Sequence, residues 1–153
     1  MNRVLNKDQI AELGIEGGWT AALPDFVRYG DLDTLNHVNN KVYHAWFENI
    51  RVLYIRGLGV TFEEDTPVKP VVRSANITFN APMFQDEEYI TLCRVSRLGR
   101  TSFTIDYAVW CDGVIRVTGD TVMVMVNVDG STAVPVPDAL REIMINHDGA
   151  TAS

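Results

Sequence analysis

Between Arg28 and Val42 the chain gathers Asp31, Asp33, His37, Asn39 and Asn40 into the joint between a short apolar strand and a long apolar helix. A carboxylate placed there stands beside unpaired backbone N–H donors and the positive end of a helix dipole. Such a pairing can cleave an ester or thioester, with the acid as base or nucleophile and the N–H groups holding the developing oxyanion. Asp33 is the candidate acid. An aspartate before a helix is ordinarily a cap or a turn former, but this loop holds more capping-capable side chains than one helix can use. Asp31 reads as structural, a partner for an arginine. His37 either fixes the turn through hydrogen bonds or orients water or the reacting carbonyl. Asn39 reads as the helix N-cap. That leaves the N–H groups of about Val38 to Asn40 as oxyanion donors.

A second set surrounds the turn at Leu98-Gly99. Arg94, Arg97 and Arg100, followed by Thr101 and Ser102, form either a solvated basic turn or a clamp for ligand phosphates. The planar arginine fork suits the second role, and Lys69 and Arg73 would extend it. Tyr43, Trp46 and Phe47 read as core, with Tyr43 one turn from the loop and within reach of a substrate there. His37, His44 and His147 are scattered with no cysteine near them, so no metal site is expected.

These groups need elements to hold them. Asn6 to Gln9 has capping-box spacing ahead of a short helix that Gly14 would stop. A first strand is expected at Phe26 to Tyr29. Val42, Ala45, Trp46, Asn49, Ile50, Leu53 and Tyr54 recur at helical spacing, with Gly57 as the stop. Tyr43, Phe47, Val52 and Ile55 fall on other faces, so this helix is apolar around most of its circumference and belongs inside something.

From Val68 to Val128 everything reads as strand. Alternation is cleanest at Phe103, Ile105, Tyr107, Val109 and Cys111, and Asp112-Gly113 is a two-residue hairpin signal. Gly119 is expected to mark a bulge in the last strand. A C-terminal helix is expected over about 137–146, opened by Pro137. One buried helix followed by an antiparallel meander means an α+β domain, its sheet wrapped round the helix. A curved sheet of this kind leaves edges, which pairing in a dimer would cover.

The bounds agree. A chain of 153 residues, 46% hydrophobic, is one domain with a real core, in which the first 20 residues form an N-terminal extension. It has no apolar run of membrane-spanning length and no signal-peptide h-region, so a cytoplasmic protein is expected. Cys93 and Cys111 read as buried thiols. A net charge of −7 argues against nucleic acid as a partner.

Tyr29-Gly-Asp-Leu-Asp33, His37-Val-Asn-Asn40, Tyr43, Glu48 and Arg51 together resemble the signature of the hotdog-fold acyl-CoA thioesterases, in the 4-hydroxybenzoyl-CoA thioesterase-like branch. Pro82 with Asp86, and Pro135 to Pro137, resemble that family's connections, and the match runs from about Pro24 to Ile145. The resemblance implies a five-stranded antiparallel sheet around one central helix. It also implies homodimers, often homotetramers, with the active site at the dimer interface. Asp33 would be the catalytic carboxylate, the N–H near Asn40 would bind the carbonyl oxygen, and Gly99 to Ser102 would line the pantetheine path. Coenzyme A would enter as part of the substrate, with no separate cofactor. On an acidic chain its polyanionic part needs a local basic patch. Asn36 and Gln85 stand where the family usually has glycine; at Asn36 the position calls for an unusual backbone conformation that asparagine tolerates.

Two other functions are open to such a chain. A hotdog hydratase needs an Asp-x-Asn-Pro-apolar-His arrangement, but His37 lies six residues after Asp31 and four after Asp33, with no proline between. A non-catalytic acyl-CoA sensor is the other alternative, since fold does not fix function.

Overall fold

The computed structural model describes residues 3–59 and 67–153. Helix α1 (Lys7–Glu12) is followed by strand β1 (Ala21–Phe26), a single 3-10 turn (Tyr29–Asp31) and the long helix α2 (Asn40–Gly57). Strands β2 (Val68–Phe79), β3 (Glu88–Leu98), β4 (Ser102–Cys111) and β5 (Val114–Asn127) come next, then helix α3 (Asp138–Asn146) and the short β6 (Thr151–Ala152). The order across the sheet is β1-β3-β4-β5-β2, every pair antiparallel, with β6 joining the far end of β3 in parallel. This is the five-stranded sheet around a central helix that the sequence implies. Among the described residues no helix is long and apolar enough to cross a membrane.

Helix α2 packs against one face of the sheet. It buries Tyr43, Trp46, Phe47, Ile50, Tyr54 and Ile55 in one core with Tyr89, Cys93, Val95, Ile105, Tyr107 and Met125. The alternating residues of β4 from Phe103 to Cys111 all point into that core, as the period of two requires. Trp46 stacks on Tyr89 at 4.0 Å, and Phe47 on Tyr107 at 4.7 Å. The helix is less enclosed than its composition suggests: a single sheet covers one side, and Leu53 on the other stays 37% exposed.

The opposite face of the sheet is covered by the N-terminal extension. Asn6 forms a full capping box with Gln9, and Ile10 and Ile15 then pack with Trp19 against Leu92, Ala108, Trp110 and Ile115. At the C-terminus the buried Asp148 carboxylate accepts from Tyr54 Oη at 2.5 Å, Val95 N at 2.7 Å and Thr20 Oγ1 at 3.1 Å. One acid thereby ties the chain end to α2, β3 and the N-terminal extension.

Two expectations are corrected. The first strand ends at Phe26, because the Asp31 carboxylate accepts the Arg28 N–H at 2.9 Å and turns the chain into the 3-10 turn. Gly119 is no bulge: it sits in register between Ile77 and Tyr107. The bulge in β5 falls at Arg116, between the pairs Val109↔Val117 and Trp110↔Ile115. Glycine is needed at 119 for closeness, as a Cβ there would lie 2.8 Å from the Phe47 ring. The hairpin at Asp112-Gly113 forms as expected, with φ of 53° and 78°, the mirror-image turn that suits twisted strands. Cys93 and Cys111 are free and buried.

Candidate active site

The joint folds as a small closed loop. Leu32 and Val38 form an isolated antiparallel bridge. Inside it the Asp33 N–H donates to the His37 carbonyl at 2.8 Å, and the Asn36 N–H to the Asp33 carbonyl at 3.1 Å. The tightness of the turn puts Asn36 at φ 61°, the left-handed conformation that asparagine tolerates. In the following connection the left-handed residue is Asp86, at φ 67°, one position after Gln85.

Asp33 Oδ1 accepts from the N–H of Leu35 at 2.8 Å and of His37 at 3.3 Å. Its own loop therefore orients the carboxylate, and among the described residues Oδ2 has no hydrogen-bond donor. His37 contributes mainly backbone to this closure. Its ring meets Phe84 edge-on, at 5.2 Å between centroids. Among the described residues Asp31 forms no ion pair with an arginine: the Arg28 guanidinium bridges Asp25 at 3.1 Å, and only the Arg28 backbone N–H donates to the Asp31 carboxylate.

The helix start narrows the set of donors. Asn39 is the N-cap, its side chain accepting the Lys41 N–H at 3.2 Å. The Val38 N–H donates to the Met83 carbonyl at 2.9 Å and the Asn39 N–H to the Asp31 carbonyl at 2.8 Å. Of the three N–H groups expected as oxyanion donors, two are thus spent on structure. Among the described residues the Asn40 N–H has no acceptor, and it points from the positive end of an 18-residue helix. A carboxylate with a free oxygen and a free helix-terminal N–H stand at the two ends of one short loop.

Tyr43 follows one turn into α2, buried, with its ring 5.0 Å from Trp46 and 5.6 Å from Phe79. Burial pushes its phenol up to about 12, against the nearby Arg116 charge, which lowers it. Behind the loop lies a polar group that sequence reasoning missed. Arg116 bridges Glu87 at 3.1 Å, and the Cys111 thiol donates to the same carboxylate at 3.4 Å. Burial raises the Glu87 carboxyl, but the Phe84 N–H, Arg116 and Cys111 outweigh it and hold it below the usual carboxylate range. Burial pushes the Cys111 thiol up to about 11. Glu87 and Arg116 are 29 residues apart in the chain and meet only at a bulge, which leaves no local signal.

The second set of predicted residues is not brought to this loop within one chain. Gly99 to Ser102 closes the hairpin at the far end of β3 and β4, with the Gly99 N–H bonded to the Ser102 carbonyl at 2.8 Å. The 11 residues of β3 separate it from the Asp33 end, roughly 30 Å at the usual rise per residue. Arg94 does not join a clamp. It donates to the Gly17 carbonyl, lies 5.2 Å from the Trp19 ring and faces Asp106 at 4.0 Å, so it holds down the N-terminal extension. Arg97 and Arg100 remain exposed, and Thr101 offers its carbonyl to the Met125 N–H at 2.8 Å. Among the described residues no group of three or more His, Cys, Asp or Glu could hold a metal ion.

Residues 27–144, from the end of β1 to α3, match the model of the Thioesterase-like superfamily. The chain belongs to that superfamily. Its fold is the hotdog fold, shared at a TM-score of 0.90 and 34% identity with the thioesterase-superfamily crystal structure from Jannaschia sp. CCS1, over 98% of this chain and 96% of that one. A thioesterase of Thermus thermophilus, solved in complex with coenzyme A and Zn, matches at TM-score 0.77 and 27% identity, over 89% and 99% of the two chains. YsmA of Bacillus subtilis (strain 168) is 27% identical over 121 residues, 78% of this chain and 82% of its own. The superfamily match begins at Val27, so the loop, α2 and strands β2 to β5 fall inside it, while β1 and β6 lie outside. The α1 segment over the back of the sheet lies outside.

Proposed function

We propose that this superfamily member hydrolyses an acyl-CoA thioester to a free carboxylic acid and coenzyme A. The observation that carries this reading is that Asp33 Oδ2 and the Asn40 N–H, at the two ends of one loop, both lack a hydrogen-bond partner among the described residues. In the reaction, the thioester oxygen accepts the Asn40 N–H, and charge building on that oxygen meets the helix dipole. Asp33 either takes a proton from the attacking water or attacks the carbonyl carbon itself. The C–S bond then breaks and the sulfur leaves as the thiolate of coenzyme A, which takes up the proton held by Asp33 in the first route or one from water in the second. In the second route water then hydrolyses the acyl-Asp33 anhydride to release the free acid. His37 borders this space through its ring and Tyr43 lies one turn beyond. The coenzyme A bound in the Thermus thermophilus relative supports this substrate class.

The site is completed by a second copy of the chain. Strand β2 is a 12-residue edge, with Val71, Val72 and Phe79 39%, 47% and 44% exposed. A free edge of this length needs a partner. Antiparallel pairing of two β2 edges about a two-fold axis reverses the ends of the sheet. The partner's Gly99–Ser102 turn, with its Arg97 and Arg100, then lies at the same end as this chain's Asp33. That brings the basic turn to where the phosphates and pantetheine of the substrate would run.

The test is thiol release from short, long and aromatic acyl-CoAs, comparing wild type with Asp33→Asn. Hydrolysis of at least one substrate, falling about 100-fold or more in the folded variant, is expected. Activity unaffected by the substitution would remove Asp33 from the chemistry. Saturable acyl-CoA binding without any thiol release would favour a sensor.

A further inference from the structure

Arg116 is the extra residue of the β5 bulge, and the bulge turns its side chain to the connection between β2 and β3. Both the backbone carbonyl and the guanidinium of Arg116 hold that connection. Its carbonyl accepts the N–H groups of Asn80 at 2.9 Å and Ala81 at 3.0 Å. Its guanidinium donates to the Pro82 carbonyl at 3.0 Å and bridges Glu87 at 3.1 Å. Glu87 in turn accepts the Phe84 N–H at 2.7 Å, so the segment 80–87 is clamped at both ends and in the middle.

The other side of this segment carries the candidate site. The Met83 carbonyl accepts the Val38 N–H at 2.9 Å, and the Phe84 ring supports His37 at 5.2 Å. Val27, at the entry to the loop, exchanges two backbone bonds with Glu87 and Asp86, both 2.9 Å. Val38 stands two residues before Asn40. The bond to Met83 therefore sets the direction of the chain as it enters α2, and with it the aim of the free N–H. The pair is only slightly exposed, 14% for the Arg116 side chain and 24% for that of Glu87, so solvent does not replace these bonds at no cost.

We infer that Arg116, through Glu87 and the 80–87 connection, is the positioning residue that aims the Asn40 N–H and holds His37 in place. This rests on the hydrolase reading for its catalytic consequence, but the geometry it describes can be measured without any substrate. Small errors of aim at a reacting centre cost rate far more than binding.

The experiment compares wild type, Arg116→Met and Arg116→Lys by amide hydrogen exchange resolved by residue, alongside kcat and KM for thiol release. Exchange at Val38 is expected to rise about tenfold or more in Arg116→Met, with the amides of Leu92 and Val109 unchanged. On the scale of misplacement effects, kcat is expected to fall roughly 10- to 100-fold with KM within about threefold. Lysine is expected to restore part of both. Unchanged exchange at Val38, or an equal rise across the whole sheet, overturns the inference. Should the methionine variant not fold, Glu87→Gln is read the same way and must loosen Val38 selectively. Selective loosening in a protein that cleaves no thioester leaves the positioning intact and refutes the hydrolase reading. Full protection and full kcat in Arg116→Met do the reverse.

Discussion

The ring of Phe47 lies so close to Gly119 that a Cβ on the glycine would stand 2.8 Å from Phe47 Cε2, and 2.8 Å from the Asn76 carbonyl oxygen. Neither neighbour can retreat. Phe47 is stacked on Tyr107, and the Asn76 oxygen belongs to the paired strand β2. Gly119→Ala is therefore expected to destabilise the fold by about 1–3 kcal/mol, as overpacking does. Alanine in an ordinary strand position would instead be favoured over glycine. Urea denaturation of the two proteins measures the difference, and trimming Phe47 to leucine should relieve it only in part because the backbone contact remains.

Asp148 gathers three donors from α2, β3 and the N-terminal extension onto a side chain with no exposed surface. Asp148→Ala leaves the Val95 N–H and the Tyr54 hydroxyl buried without an acceptor, which is expected to cost about 3 kcal/mol. Tyr54→Phe removes one bond without stranding a backbone group and is expected to cost about 1–2 kcal/mol. Since both touch the same carboxylate, the double variant should lose less than the sum. Thermal and denaturant unfolding of the four proteins test the cycle.

The buried Tyr43 phenol gives the fold a high-pH limit. Its folded pKa of about 12 lies above its ordinary value of 10. Both states are protonated below pH 10, and stability there is complete. Between pH 10 and 12 the unfolded chain releases its proton first, so stability falls as pH rises, by about 2 kcal/mol for this group. Tyr54, Tyr89 and Tyr107 are raised by burial too and add to the slope. Stability of wild type and Tyr43→Phe at pH 9 and pH 11.5 isolates the share of Tyr43, which should flatten in the variant.

The free β2 edge predicts how assembly and activity are linked. Val72, 47% exposed in the single chain, would be covered when two edges pair. Val72→Asp is expected to abolish the proposed pairing of β2 edges and leave a monomer, since an unpaired charge at such an interface costs several kcal/mol, about 3–5. Thiol release should fall with dimer population, because the monomer has its Asp33 and its basic turn at opposite ends of the sheet. Sedimentation and activity measured over the same concentration range check the coupling, and a fully active monomer would refute the shared site.

The local features were legible because their causes are local. The Asn6 capping box, the Asn39 cap, the Asp112-Gly113 turn, the left-handed Asn36 and the alternation of β4 each depend on residues within a few positions of one another. Periodicity likewise marked α2 and the strands, and the motif from Tyr29 to Arg51 marked the superfamily. What the tertiary structure alone decided were matters of partnership across long separations. It assigned the N–H of Val38 to Met83 and that of Asn39 to Asp31, leaving Asn40, where the sequence offered all three. It placed Arg94 beneath Trp19 and far from any phosphate clamp, and put the bulge at Arg116 where the lone glycine had suggested 119. Gly119 itself looked like a backbone irregularity and proved to be room for a ring 72 residues earlier in the chain. A hydrogen bond or a packing contact is chosen by which groups meet when the sheet closes on the helix, and that closure is a property of the whole chain.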